Sequence, residues 1–315
     1  MPKIRAISSE LEEVAKYKLN EDVTQVESHI KVIRSWLAEV DLQCNLLDDQ
    51  ILMAFLRGCK FSLEKMKKKL LLFFQIRSEL PEVIQNRDPT NSAVLKIIKM
   101  GVATPLPKTN KPTDPKLFII RVGNFDVAEC TFADVMKVGT MMNDILMRDD
   151  DQMVICGMAI IIDLKGVTAG HLMHFEMELL RKIAILNQDA SPLRMQGIHI
   201  LNPPPGAQTA LAIFNGLLSA KNQHKRIYTH GRELGSLHEH FPPEILPKEY
   251  GGDLDSLDAI TKQWETTLIE NRSYLLGMAE MNSTHSNTSS SGTKAKTNSN
   301  HIFGTEGSFR KLNFD

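Results

Sequence analysis

From residue 8 to about residue 100, apolar side chains recur at helical spacing with short polar joints between them. Val26, Ile30, Ile33, Trp36, Leu37 and Val40 form one amphipathic stripe, the three-and-four spacing that gathers side chains on one face of a helix. A second helix is predicted through ILMAFLRG, from Ile51 to Gly58. Ser62 stands where an N-cap belongs, with Glu64 in the first turn that follows; a serine hydroxyl there accepts from an orphan backbone N–H. The helix it opens carries Met66, Leu70, Phe73, Phe74 and Arg77 towards Pro81. Its cluster of Lys65, Lys67, Lys68 and Lys69 reads as a solvated face.

After Gly101 the texture changes. Pro105, Pro107, Pro112 and Pro115 break the helical pattern, and LFIIRVG (Leu117 to Gly123) follows as a compact strand. A helix is predicted from Phe132 to about Met147, and a strand over the continuously apolar run Met153 to Leu164, as a strand covered on both faces reads. Another helix spans about Met173 to Leu186, GIHILN (Gly197 to Asn202) is the next strand, and a helix follows PPPG. RIYTHG (Arg226 to Gly231) closes the alternation, which implies crossover connections and a largely parallel sheet. The last predicted helix runs from about Leu257 to Leu276. From Met281 the chain is poor in apolar residues, so 281–315 is expected to be a disordered tail.

Of the 315 residues, 42% are hydrophobic and 24% charged, enough apolar side chain for a real core. Thirty-seven Lys and Arg against 38 Asp and Glu leave a net charge of -1. That balance argues against nucleic acid as partner, since duplex binding needs a broad cationic surface. Cys44, Cys59, Cys130 and Cys156 are far apart and form no C-x-x-C pair, the pattern of free buried thiols. The start of the chain lacks the apolar core of a signal peptide, and no 18-residue run is hydrophobic enough to cross a bilayer. The expectation is a cytoplasmic, monomeric protein.

Catalytic signatures are missing. The sequence has no G-x-S-x-G, no G-x-x-x-x-G-K-[ST], no H-E-x-x-H and no G-x-G-x-x-G after a strand. The reading is therefore a non-enzyme without cofactor. His171 with His174, and His238 with His240, are spaced to offer two metal ligands each, but a zinc site needs a third. They read as surface or capping residues, with no metal expected. His199 is read as a hydrogen-bonded structural histidine inside a strand, and Asp149, Asp150 and Asp151 as capping or solvating a loop.

The most informative stretch is Met195 to Ala220, which contains no Asp, Glu, Lys or Arg. On a helical wheel Ala207, Ala210, Leu211, Ile213, Phe214, Leu217 and Leu218 share one arc, and the opposite arc is polar but uncharged. Lys221, His224, Lys225 and Arg226 come immediately after. Two readings stand at this point: a surface that meets anionic headgroups, or a core helix whose cationic end complements its dipole.

FLRGCKFSLEKMKKKL (Phe55 to Leu70), IIIDLKG (Ile160 to Gly166), SPLRMQGIHILNPP (Ser191 to Pro204), IYTHG (Ile227 to Gly231) and HFPPEILPKEYGG (His240 to Gly252) resemble, in that order, the CRAL-TRIO lipid-binding family. The nearest branch is that of α-tocopherol transfer protein and cellular retinaldehyde-binding protein, and the resemblance covers about 8–276. It implies an α/β fold: an N-terminal helical module at 8–100, then a lipid-binding domain at 101–276 with a mostly parallel sheet, an apolar pocket and a gate helix near Pro204 to Ser219.

Carried over by position, the pocket is lined by Met136, Thr140 and Asn143, then by Met158, Ile160 and Ile162. Ile183, Leu186, Leu193 and Ile198 continue it, and Ala210, Ile213, Phe214 and Leu217 close it from the gate. Thr140 and Asn143 are the polar groups that would orient a ligand. The resemblance also implies a basic cleft for phosphoinositide headgroups at Arg194, Lys221, Lys225 and Arg226. Gln196 and Cys59 stand where that branch carries further basic residues. The expected function is to bind one hydrophobic ligand (tocopherol, retinoid, carotenoid or other lipid) and release it at anionic membranes. A phosphoinositide-sensing adaptor without cargo is the alternative.

Overall fold

The structure, a computed structural model, describes residues 3–40, 47–206, 212, 215–217, 227–231 and 233–288. Its first third is helical, as the spacing predicts. The helices are α1 (Ser9–Leu19), α2 (Val26–Glu39), α3 (Asp49–Gly58), α4 (Leu63–Ser78), α5 (Pro81–Ile84) and α6 (Ser92–Met100). Local chemistry sets their ends. Ser8, Asp48, Ser62 and Asn91 each accept a backbone N–H at a helix start. Gly101, at φ 58°, supplies the left-handed residue that stops α6. Val26, Ile30, Ile33 and Leu37 of α2 are buried, and they join α3 and α4 in the largest apolar cluster.

That cluster extends into the second part of the chain, so the helices and the sheet share one core. The sheet has five strands in the order β1 (Ala103–Pro105), β2 (Lys116–Arg121), β3 (Met158–Asp163), β4 (Met195–Leu201) and β5 (Ile227–Thr229). Strands β2 to β5 are parallel, and β1 is antiparallel to β2. The proline pattern hid β1, which ends on Pro105 at the sheet's edge, where a missing N–H costs no ladder bond.

Between β2 and β3 lie α7 (Phe132–Asp149) and α8 (Asp151–Cys156). The expected strand from Met153 to Leu164 is thus corrected to a helix followed by a strand. Continuous apolar runs do not separate the two by periodicity. Asp150 caps α8 by accepting from Met153 N, and Gly157, at φ 85°, turns the chain into β3. A Cβ at Gly157 would sit 2.5 Å from the Arg194 carbonyl oxygen, so only glycine fits.

The helix expected from Met173 to Leu186 is two, α9 (Ala169–Met173) and α10 (Met177–Ile185), with a wider turn over Leu186–Ala190. Thr168 and His171 form a capping box that starts α9 on its own. After β5 come α11 (Gly235–His238), α12 (Leu257–Glu270) and α13 (Arg272–Thr288). The last two replace one expected helix, with the break at Asn271. Its Nδ2 donates to Thr267 O, and its Oδ1 accepts from Arg148 Nη2 at 2.6 Å. Helix α13 continues past Glu280, the end that composition places on the folded part.

Alternation divides the sheet into two faces. Leu117, Ile119, Ala159, Ile161 and Leu201 pack on one face against Leu237, Leu246, Tyr250, Leu257 and Ile260. Phe118, Met158 and Ile160 point the other way into the helical core, while Ile162 packs with Ile198 and Ile200.

Candidate functional site

The second face is where the expected pocket residues gather. Ile160 is in register with Phe118 and Ile198, and Ile162 with Ile200. Strand geometry therefore sets these isoleucines side by side in two rows. Ile198 and Ile200 are buried, but Ile160, Ile162, Leu164, Met195 and Ile227 remain half-buried. The opposite face is packed against a wall of helix and loop side chains. One sheet thus has a closed side and a side whose apolar surface is incompletely covered.

Met136, Ile183, Leu186 and Leu193 pack in the same cluster as Met158 and Ile160. Thr140, Asn143, Leu186 and Leu193 line one cavity of about 20 Å³ with Phe73 and Arg77, room for about one water molecule. The Thr140 hydroxyl donates to Lys137 O at 2.8 Å and accepts a long bond from Arg87 Nη2 at 3.4 Å. Asn143 Nδ2 reaches Asn187 Oδ1 at 3.4 Å. Leu217 is half-buried, and its carbonyl accepts from Gln188 Nε2 at 3.2 Å. Ala210, Ile213 and Phe214 lie outside the described residues, as do Lys221, Lys225 and Arg226.

The cavity wall also holds a buried charge cluster that sequence reasoning missed. Asp144 accepts two bonds from Arg77, at 3.0 and 2.9 Å, and one from Arg87 at 2.6 Å. Burial pushes the Asp144 carboxyl up, but the two guanidiniums outweigh it and hold the group below its ordinary value. Two cations face one anion here, and the Nε atoms of both arginines are buried without a hydrogen-bond partner. The available signal was an aspartate one turn beyond Thr140, set among the buried Met141, Ile145 and Leu146 of α7.

A second buried network joins the motifs that carry the family resemblance. Asp163 Oδ1 accepts from Asn202 Nδ2 at 2.8 Å and from Lys165 N at 2.9 Å, and Oδ2 accepts from Tyr250 Oη at 2.8 Å. IIIDLKG, GIHILN and ILPKEYGG therefore meet at one carboxylate. Glu249 caps α12 by accepting from Leu257 N, and a Cβ at Gly252 would sit 2.0 Å from Leu246 O. The ILPKEYGG element fixes the end of the sheet rather than touching the cavity.

Arg194 is half-buried and turned inward. Its Nη2 donates to the carbonyls of Val154, at 3.1 Å, and Ile155, and its Nη1 reaches Arg57 O at 3.4 Å. These are C-terminal carbonyls of α8 and α3, which a cation satisfies well. Gln196 Nε2 donates to Cys156 O at 3.0 Å, and Cys59 is buried. Cys59, Cys130 and Cys156 form no disulfide; burial pushes Cys156 up to about 11, against a weaker opposing pull from Arg194.

Three of the four histidines in the sequence pairs serve local ends. His171 Nδ1 pairs with Thr168, His174 Nδ1 bonds Gly170 O, and His238 Nε2 bonds Tyr250 O. The aspartate run is divided likewise. Asp149 pairs with Arg148, Asp150 caps α8, and Asp151 pairs with Arg57 and Arg5.

Residues 100–252 match the family model of the CRAL/TRIO domain, and residues 22–94 that of a Pinta-like UBA domain. The chain is 31% identical over 223 residues to the alpha-tocopherol transfer protein-like protein of Mus musculus, covering 71% of this chain. It is 27% identical over 265 residues to clavesin-2 of Rattus norvegicus, covering 84% of this chain and 80% of that one. Against clavesin-1 of Xenopus laevis it is 26% identical over 264 residues, covering 84% and 78%. The match spans 63% of the length of the mouse relative. Residues 100–252, which hold all five strands of the sheet, are thus a CRAL-TRIO domain.

Proposed function

We propose that this chain binds one hydrophobic, lipid-like molecule against the β3–β4 face and transfers it between membranes. The observation that carries this reading is the asymmetry of the sheet: Ile160 and Ile162 stay half-buried on one face while the other is sealed by packed side chains. An apolar face left partly open, with no charged residue from Met195 at the start of β4 to Ala220, suits a guest that brings apolar surface and no charge. The alpha-tocopherol transfer protein-like relative names a cargo of that class. Burying about 300 Å² of such a guest at ~25 cal/mol/Å² contributes about 7 kcal/mol before the entropic costs of binding.

Thr140 and Asn143 supply polar atoms at the cavity beside this face, where a hydroxyl or carbonyl of the guest would be oriented. The 20 Å³ cavity must widen on uptake. Delivery is assigned to Lys221, Lys225 and Arg226, a cationic run directly after the uncharged stretch, attracted to phosphoinositide-bearing surfaces. Among the described residues no helix is long and apolar enough to cross a membrane.

The test is purification without detergent, organic extraction and mass spectrometry, then uptake and transfer of labelled lipids between vesicles. About one apolar molecule per chain, moving between vesicles, is the expected result. A protein that carries none, takes up none, and still binds phosphoinositide vesicles would instead be a membrane-sensing module.

A further inference from the structure

His199, His230 and His240 come from three separate segments and converge on the sheet face opposite the candidate lipid site. His199 lies within β4 and His230 directly after β5; they are 4% and 3% exposed. His240 follows α11 and is exposed. One ring nitrogen from each lies within 4.8 Å of the other two. We propose that these three histidines form a binding site for a divalent transition metal of the zinc class, with a fourth position open to solvent beside His240.

The chemistry of the donors fits. Imidazole suits zinc, copper and nickel, and three histidines plus an exchangeable water complete a tetrahedral shell. Both His199 and His230 are buried, and a neutral imidazole keeps one ring nitrogen as a lone-pair donor to a metal. His199 Nδ1 and His230 Nε2 share a hydrogen bond at 3.0 Å. A tetrahedral centre with bonds of 2.0 to 2.1 Å sets its ligand nitrogens about 3.3 Å apart. This edge of the site is therefore within a few tenths of an ångström of the required length.

The planes of these two rings are 8° apart, so a metal must replace the shared proton and both rings must pivot until their lone pairs converge. His240 has the larger movement to make, and as an exposed side chain it is the one placed to make it.

The surroundings supply what such a site needs beyond its ligands. His230 Nδ1 is hydrogen-bonded to Ser236 Oγ at 2.9 Å, which directs Nε2 towards the centre, as the outer partner of a metal-bound histidine does. Tyr228 stacks on His199 at 4.6 Å, and Phe241 meets the same ring edge-on at 4.6 Å. These rings wall the site on the protein side and leave His240 facing water. The cluster uses one histidine from each of GIHILN, IYTHG and HFPPEILPKEYGG. The pairs visible in sequence, His171 with His174 and His238 with His240, are not the ones that assemble. A bound ion would tie β4, β5 and the segment after α11 into one unit.

The experiment uses the full chain without an affinity tag, stripped by chelator and titrated with zinc by calorimetry, with cobalt as a spectroscopic substitute. The parent should take up one zinc per chain at micromolar concentration, gain melting temperature on binding, and give the visible bands of tetrahedral cobalt. His240→Ala changes an exposed residue, and circular dichroism verifies its fold. It should weaken zinc at least about a hundredfold, since losing even a supporting partner costs up to that much. His174→Ala, an exposed histidine elsewhere, should keep the parent affinity. No uptake by the parent, equal uptake by parent and His240→Ala, or equal losses in both variants would overturn the assignment.

Discussion

Tyr250 Oη donates a 2.8 Å hydrogen bond to Asp163 Oδ2 across 87 residues of sequence. The pair joins the end of β3 to the last motif before α12, and Asn202, just after β4, completes it from a third segment. Burial, together with the adjacent carboxylate, raises the Tyr250 phenol above its ordinary value, so it remains a donor throughout the neutral range. Asp163 is buried, and both of its carboxylate oxygens accept, from Asn202, Lys165 N and Tyr250. The network is a clasp between parallel strands and the loop that seals one sheet face.

Removing one bond from the clasp should cost what a hydrogen bond to a charged group is worth. Tyr250→Phe keeps the ring, and urea denaturation should show a loss of about 1.5 to 3 kcal/mol. Lipid uptake at a temperature where the variant is folded should match the parent, because Tyr250 belongs to the cluster on the closed face. A variant of parental stability would show that Asp163 finds another donor.

Asp144 is the single counter-charge for two buried arginines among its described contacts. Asp144→Asn should destabilise by about 3 to 5 kcal/mol, the range for breaking a buried pair on one side. The pH dependence has a definite sign. The folded carboxyl sits below its unfolded value of about 4. Its contribution to stability is therefore complete above that value and is lost as pH falls through the lower folded one. Acid unfolding curves of parent and variant should converge below pH 4; a constant gap down to pH 2 would remove the electrostatic account.

The C-terminal boundary is testable by truncation at two points. Leu275 and Met278 of α13 are fully buried, and Met278 reaches the main helical core. Ending the chain after Glu280 preserves both, so melting temperature and lipid uptake should stay within error of the full chain. Ending it after Asn271 removes both and should cost several kcal/mol, as large apolar side chains lost from a core do. A drop of several degrees from the Glu280 truncation would place a stabilising contact beyond that residue.

Much of this architecture was legible because its signals are local. The stripe Val26, Ile30, Ile33 and Leu37 has one physical reading, and Ser62 caps the helix it precedes. The run Met153 to Leu164 was misread because hydrophobicity alone does not distinguish a buried helix from a buried strand. The deciding features were one cap, Asp150, and one backbone angle, at Gly157. The candidate pocket residues, Thr140 and Asn143 included, come from family position, and alternation adds only that Met158, Ile160 and Ile162 share one face of β3. Convergences across long sequence separations left no periodic trace: Asp163 with Tyr250, Arg77 and Arg87 with Asp144, and His199 with His230 and His240. Each of these residues also reads as an ordinary helix, strand or loop position, and only the fold says which ones meet.

Arg194 and the run Lys221, Lys225 and Arg226 were grouped in sequence as one headgroup cleft, and substitution can now divide them. Arg194 donates to the carbonyls of Val154, Ile155 and Arg57, so a headgroup would have to compete with bonds that close two helices. Arg194→Met should lower stability by about 1 to 3 kcal/mol, because it leaves those carbonyls short of a donor. Slower lipid delivery by that variant would then follow from its fold. The double change Lys225→Gln and Arg226→Gln should leave melting temperature and ligand affinity near parental values. It should slow transfer to phosphoinositide vesicles by about tenfold to thirtyfold, at about 1 kcal/mol per cation near an anionic surface. Raising the salt should shrink that difference, because the Debye length falls from ~10 Å at 0.1 M to ~3 Å at 1 M. The deciding comparison is transfer rate against vesicles with and without phosphoinositide, for parent, Arg194→Met and the double variant. Equal rates for parent and double variant on both vesicle types would remove the headgroup role and leave a carrier driven by apolar contact alone.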